Sequence, residues 1–314
     1  MSGVAVLKGG RSLERQVSMQ SGARVEAALK RLGHAVVGID VDHDLVRRLR
    51  DAAPDVAFVA LHGRDGEDGT VQELLEVLGI PYTGSGVHAC VLSSDKVIAK
   101  HEMRAVGIPT PDSLSFNETA FKELGAAEAL DAVEERLGFP LVVKPADQGS
   151  ALGIRFAASA ADVPAALVAA FSYSRKVLIE RYVDGADLAV SILDSKALPV
   201  VEAIPADGLR YDFAARYTIG GTHFACPAEL PDALTARAQE LAVRTYETLG
   251  CRGFARVDLM RDIATDELWV LEANAIPGLT DTSLMPQAAD AAGIGFDELV
   301  GRVLELALAR AAER

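Results

Sequence analysis

Residues 253–260, Gly-Phe-Ala-Arg256-Val-Asp258-Leu-Met, and 270–280, Val-Leu-Glu272-Ala-Asn274-Ala-Ile-Pro-Gly278-Leu-Thr, flank the turn-rich link Arg261–Asp266. They read as a hairpin. Side chains alternate faces along a strand, so Arg256 and Asp258 share one face, and Glu272 and Asn274 share one. If those faces coincide, two carboxylates and an amide oxygen lie within about 5 Å across the strands. An all-oxygen set of this kind suits Mg²⁺ that also holds phosphates, with Arg256 placed to neutralise a phosphoryl group or oxyanion. The alternative is a solvated hairpin face. The apolar Phe254, Val257, Leu259, Trp269, Val270 and Leu271 argue for buried strands instead, where unpaired carboxylates are costly.

Outward from the hairpin, the first 95 residues alternate strand and helix patterns, which implies parallel βαβ units. Strands are expected at Val4–Leu7, Ala35–Val41 and Asp55–Leu61, and a helix runs up to Gly33. Thr70–Leu78 reads as a helix with a Thr70/Glu73 capping box and a Gly79 stop. Gly84-Ser85-Gly86 opens one long helix ending at Gly107, and Ile108-Pro109-Thr110-Pro111 is a connector. Further strands are expected at Leu141–Lys144 and Lys176–Tyr182, a helix at Ala160–Phe171, and a strand pair at Asp187–Leu193 and Leu198–Ile204. Tyr211–Pro227 lacks a clear period and is long enough for a functional loop. A helix to Leu249, the hairpin and an amphipathic helix at Phe296–Arg310 complete the chain. The fold class is α/β in three domains: 1–95, 96–183 and 184–314.

The 314 residues carry 31 Lys+Arg against 45 Asp+Glu, a net charge of −14, with no basic stripe, which disfavours a nucleic-acid partner. Cys90, Cys226 and Cys251 are too few for a disulfide framework and lack zinc spacing, and read as small buried hydrophobes. No stretch is long and apolar enough for a signal peptide or a membrane span. A cytoplasmic location is expected. No GxGxxG opens a helix, against a nicotinamide dehydrogenase.

Four other segments could carry chemistry. Lys144 ends an apolar strand before the glycine-punctuated loop 146–153, whose free N–H groups suit phosphates; an ordinary turn with a snorkelling lysine is the alternative. Glu180, with the backbone of Arg181, Tyr182 and Val183, could read an adenine, or could be a surface acid at a strand end. Glu14 lies in the first turn of a helix, where it could hold a substrate ammonium or simply complement the helix dipole. His62 sits in the loop 61–69 at the C-terminal end of a parallel strand, where open α/β sheets bind ligands, though a lone histidine is also commonly structural.

Together GGRSLERQVS (9–18), ALHGRDGEDGTVQ (60–72), IPYTGSG (80–86), DKVIAK (95–100), VVKP (142–145), QGSALG (148–153), VLIERYV (177–183), CPAEL (226–230) and GFARVDLM…VLEANAIPGLT (253–280) resemble the D-alanine–D-alanine ligases of the ATP-grasp superfamily over nearly the whole chain. The resemblance implies a three-domain ATP-grasp fold with an N-terminal parallel-sheet domain, ATP gripped between the second and third domains, and ligation through an acyl phosphate for peptidoglycan precursors. It places Asp258, Glu272 and Asn274 on two Mg²⁺ ions, for which Mn²⁺ can substitute. Lys96, Lys144 and Arg216 fall at the phosphates, Glu180 and Arg181–Val183 at the adenine, and Asp187 at the ribose, where glutamate is usual. Glu14 holds the first substrate's ammonium and His62 lies near its carboxylate. Arg256 and the Gly278 N–H stabilise the oxyanion, and Ser283 and Leu284 receive the second carboxylate. Glu14, Ser150 and Tyr217 form a triad that closes the long loop. A homodimer is also implied.

Departures from the usual family residues at Gln148, Ala151, Ala275, Ile276, Asp281 and Thr282 cluster near the phosphates and the acceptor site. They keep open a ligase with another acceptor, such as D-serine, D-lactate or another amine. A nucleotide- or amino-acid-binding protein without turnover is the alternative of a different class, and the complete set of metal ligands and phosphate lysines argues against it.

Overall fold

A computed structural model of the chain describes residues 2–205 and 222–313. The N-terminal domain alternates strand and helix: β1 (Gly3–Lys8), α1 (Arg15–Arg31), β2 (Ala35–Asp40), α2 (Leu45–Ala52), β3 (Val56–Val59) and α3 (Thr70–Leu78). Its sheet has order β2-β1-β3 and is parallel throughout. The expected helix 70–78 forms and Gly79 ends it in the left-handed region, but the capping box does not form. Thr70 is already inside the helix, Gly69 occupies the cap, and Asp68 Oδ1 accepts from Thr70 N at 3.1 Å.

The single helix expected from 87 to 107 is two, α4 (Val87–Ser94) and α5 (Lys96–Ala105). Asp95 between them adopts an extended conformation and its Oδ1 accepts from Val97 N at 3.0 Å and Ile98 N at 3.3 Å. An aspartate with free helical N–H groups behind it starts a new helix more readily than it continues an old one.

The middle domain holds β4 (Ser113–Asn117), α6 (Glu118–Glu123), α7 (Asp131–Leu137), β5 (Leu141–Pro145), β6 (Arg155–Ala157), α8 (Val163–Phe171) and β7 (Lys176–Arg181). Its antiparallel sheet has order β4-β7-β5-β6. β4 has no counterpart in the sequence reading, because Ser113–Asn117 is half-exposed and lacks an apolar run.

The C-terminal domain contains β8 (Gly185–Leu193), β9 (Lys196–Ala197), β10 (Val201–Pro205), β11 (Thr222–Ala225), α9 (Asp232–Thr248), β12 (Phe254–Asp262), β13 (Leu268–Asn274), α10 (Leu284–Ala291) and α11 (Phe296–Ala312). Its sheet runs β11-β10-β8-β12-β13, with β9 beside β8. β11 falls within the long polar stretch 211–227, and α10 follows the hairpin where no element was expected.

Three apolar clusters underlie these domains. One lies within the middle domain, around Leu141, Val143, Leu167 and Ile179. One joins α5 to α9 and the hairpin through Met103, Leu241, Val257 and Val270. The largest joins the parallel sheet to α10 and α11 through Leu7, Phe58, Met285, Leu299 and Val303. The helix α11, last in the chain, packs against α1 and against β3 of the parallel sheet, whereas α10 packs against β8 and β10. Cys90 and Cys251 are buried, as expected of small apolar side chains.

Candidate active site

β12 and β13 pair with Arg256 opposite Asn274 and Asp258 opposite Glu272, so the two faces whose coincidence the sequence left open do coincide. A β-bulge follows Asp258. Arg256 grips Asp258 with two donors, Nε to Oδ1 at 2.6 Å and Nη2 to Oδ2 at 2.9 Å. Asn274 Nδ2 donates to Asp258 Oδ2 at 3.2 Å. The strands are buried at Phe254, Val257, Leu259 and Val270, so the solvated-face alternative falls.

Lys96 reaches the same cluster from the first turn of α5. Its Nζ is 2.9 Å from Glu272 Oε2 and donates to Gln148 O at 2.7 Å. Burial opposes its charge, but Glu272, with Glu180 and Glu67, outweighs that penalty and holds its pKa above the ordinary lysine value.

Lys144, at the end of β5, is buried and donates to Glu180 Oε1 on β7. It does not snorkel, and Glu180 is no surface acid: it is 3% exposed. Behind them Lys100, from α5, lies 2.9 Å from Glu180 Oε2. Burial would raise the Glu180 pKa, yet the two lysines overcome it and keep the group below the ordinary glutamate value. Lys100 was missed in the sequence, although it follows Lys96 by four residues and so shares a helix face with it.

These groups line one cavity of about 400 Å³, which collects Lys96, Lys144, Glu180, Arg181, Tyr182, Val183, Asp187, Asp258, Glu272 and Leu284. The size is that of a small-molecule site. The Arg181 guanidinium stacks 4.7 Å from the Trp269 ring centroid. Arg181 N donates to Asp112 O and Tyr182 N to Pro140 O, so these two N–H groups are committed within the protein.

A second cavity of about 960 Å³ lies between the parallel-sheet domain and the hairpin, lined by Gly63, Glu67, Gly149, Asn274 and Ala275 among others. Lys96, Gln148 and Glu272 border both cavities. Glu14 caps α1 from just outside the helix rather than from within its first turn. Ser150 Oγ, from the loop after β5, donates to Glu14 Oε1. The carboxylate is wedged between two glycines: a Cβ on Gly63, which has φ +70°, would stand 2.5 Å from Glu14 Oε2, and one on Gly149 3.1 Å from it. Burial first, then the charge of Glu67, raises the Glu14 pKa. Ser150 and Ala151 are consecutive non-glycine residues at φ 52° and 57°, a local strain of the kind that clusters at functional loops.

His62 is 4% exposed. Its Nε2 lies 3.0 Å from Ser21 Oγ and its Nδ1 3.2 Å from Ile276 O. Ser21 Oγ also accepts from Leu279 N at 3.1 Å. His62 and α1 thus hold the loop that carries Gly278 and leads to Ser283. A Cβ on Gly278 would stand 2.7 Å from Ser283 Oγ, and that hydroxyl accepts from Thr280 N at 3.0 Å. Ser21 gave no signal in the sequence beyond its place two helical turns after Glu14. Arg216 and Tyr217 lie outside the described residues.

Among the described residues no three or more His, Cys, Asp or Glu side chains cluster as a metal site. The hairpin offers two carboxylates and an amide, hard oxygen donors that suit Mg²⁺ when phosphate oxygens complete its shell.

Two antiparallel sheets bordering a nucleotide-sized cleft, with acids on one and lysines directed at it from the other domain, define an ATP-grasp fold. The family described as D-ala D-ala ligase C-terminus matches residues 103–305, and that described as D-ala D-ala ligase N-terminus matches 46–85. The chain is 46% identical to a D-alanine–D-alanine ligase of Synechococcus sp. (strain JA-3-3Ab) over 312 residues, 98% of this chain and 94% of that protein. The structure of the Bacillus anthracis D-alanine–D-alanine ligase complexed with ATP matches with TM-score 0.83 and 34% identity over 99% of this chain and 98% of that one. The VanG D-Ala:D-Ser ligase of Enterococcus faecalis matches with TM-score 0.81 and 26% identity over 96% of this chain and 98% of that one. The chain belongs to the D-alanine–D-alanine ligase family.

Proposed function

We propose that the first cavity is the nucleotide site of a ligation and that the amino acids bind beside it, at Glu14, Ser150, Arg256 and Ser283. The activity follows from family membership over nearly the full chain: ATP-dependent joining of two D-alanines to D-alanyl-D-alanine, a step of peptidoglycan precursor synthesis. The residue roles are the proposal. The observation that carries it is the gathering of Lys96, Lys144, Asp258 and Glu272 in one cavity, which sets cations and hard oxygen donors around a phosphoryl group.

On this reading, Glu14 binds the first D-alanine's ammonium, with His62 near its carboxylate. That carboxylate attacks the γ-phosphorus of ATP, and ADP leaves. Lys96 and Lys144 neutralise the charge spread over the phosphoryl oxygens, where positioning and electrostatics supply most of the catalysis. Asp258, Glu272 and Asn274 would hold Mg²⁺, which supplies further neutralisation at the phosphates. The second D-alanine, its carboxylate on Ser283 and the Leu284 backbone, attacks the acyl phosphate through its free amine. Arg256 and the Gly278 N–H then stabilise the oxyanion before phosphate departs. Arg216 is proposed to serve the phosphates and Tyr217 to join Glu14 and Ser150. Asp187 binds the ribose. The protein is proposed to act as a homodimer in the cytoplasm; no helix among the described residues is long and apolar enough to cross a membrane.

Phosphate release from the purified chain with Mg-ATP tests the reading. D-alanine alone should suffice, with a D-alanyl-D-alanine mass in the product. Release only when D-serine or D-lactate is added would move the acceptor assignment.

The raised Glu14 pKa gives a pH prediction. Glu14 holds an ammonium only when ionised. The acid limb of kcat/KM for D-alanine therefore lies above the pH of an ordinary glutamate, and activity falls as pH drops through it. The proton is held more tightly in the folded state, so this group's contribution to stability declines as pH rises through the same window. A limb at the ordinary glutamate position would remove Glu14 from the first-substrate site.

A further inference from the structure

Lys100 is the buried cation that the ligation does not use. It is 0% exposed, and its ammonium is pinned on three sides: 2.6 Å to Thr110 Oγ1, 3.4 Å to Pro111 O and 2.9 Å to Glu180 Oε2. Lys144 and Glu180 line the nucleotide cavity; Lys100 is not among the residues that line it. One buried carboxylate therefore faces two lysines, one on the ligand side and one behind.

An ammonium has three N–H donors, so Lys144 can bond a phosphate and Glu180 together, but its single charge is then shared between them. A phosphate on Lys144 therefore weakens the compensation of Glu180 at Oε1. A buried carboxylate stripped of its partner is strongly destabilised, and protonation or reorientation is its usual escape. We propose that Lys100 is a positioning residue of the nucleotide site, which keeps Glu180 ionised and aimed into the cleft while Lys144 also serves a phosphate. The inference rests on the reading of Glu180 at the adenine, where a carboxylate can only accept and so would take the exocyclic amine.

The electrostatics agree. Burial pushes the Lys100 pKa down to about 8, Glu180 opposes that fall, and Lys144 and Arg104 add repulsion. Thr110 and Pro111, from the connector after α5, hold the ammonium beside Glu180.

Lys100→Met, Thr110→Val and Glu180→Gln, compared for ATP and inosine triphosphate, provide the test. Inosine triphosphate lacks the exocyclic amine. Lys100→Met should raise the KM for ATP about tenfold, the loss of one charge-assisted hydrogen bond. It should also shrink the ATP-over-inosine-triphosphate preference toward that of Glu180→Gln, while the KM for D-alanine stays unchanged. Thr110→Val, a near-isosteric change that only unpins the ammonium, should move both quantities the same way by about two- to threefold; it carries the test if Lys100→Met fails to fold. Folded variants that keep the wild-type preference while Glu180→Gln loses it would make Lys100 merely structural and overturn the inference. A Glu180→Gln protein that keeps the preference would overturn the base reading itself, and the inference with it.

Discussion

Glu272→Gln lowers kcat by about a thousandfold or more at saturating magnesium, because several kcal/mol of charge stabilisation at the phosphates depend on this carboxylate. The substitution keeps the side chain's length and one acceptor oxygen and removes the charge. Glu272 stands at the border of both cavities, opposite Asp258 and 2.9 Å from Lys96. Its loss therefore acts at the place where phosphoryl transfer is proposed to occur. The fold should persist, because Lys96 retains its bond to Gln148 O at 2.7 Å and the strand pairing is made by backbone groups. A stability loss of about 1–3 kcal/mol is expected from the weakened pair. Circular dichroism and thermal unfolding separate the two effects: a native spectrum with turnover lost supports the assignment, and a native spectrum with near-normal turnover removes Glu272 from the metal site. Asp258→Asn should behave alike, with an added loss of the Arg256 grip.

The hairpin was readable because its chemistry is written in period two. Arg256 and Asp258 alternate with Ala255 and Val257, so pleat geometry put each pair on one face; that the two faces coincide needed the register. Lys144 and Glu180 were readable as residues but not as a pair. They lie 36 positions apart on neighbouring antiparallel strands, and no local pattern carries such a contact. Lys100 and Ser21 were missed for a related reason: each is a polar residue on the buried face of a helix, where its partner comes from a distant stretch of the chain or from the connector beyond the helix. The break at Asp95 was missed because the apolar pattern runs on through it, and the extended cap is visible only in the backbone. β4 escaped because an edge strand that buries little has little apolar signal. The departures at Ala275 and Ile276 acquire a meaning the sequence withheld. Both are buried, and the Ile276 carbonyl lies 3.2 Å from His62 Nδ1, so the loop is held there by packing and by its backbone.

Arg256→Met lowers kcat/KM for D-alanine by about 10²–10³, the usual effect of removing one oxyanion donor. Arg256→Lys recovers only a fraction of it. In the structure the guanidinium fork spans both oxygens of Asp258 at 2.6 and 2.9 Å. A lysine ammonium is a compact, strongly hydrated point charge and cannot reproduce that planar grip. Two roles for Arg256 are separable by where the loss falls. If it only neutralises Asp258, both half-reactions slow together and ADP formation falls in step with dipeptide. If it stabilises the oxyanion, ADP formation is less affected than dipeptide formation, and phosphate appears without product as the stranded acyl phosphate meets water. Rapid-quench measurement of ADP and dipeptide in single turnovers reads the difference directly. The second pattern is the expected one, because Lys96 and Lys144 remain in place to support phosphoryl transfer when Arg256 is lost, whereas the proposed alternative donor for the tetrahedral intermediate is a single backbone N–H at Gly278.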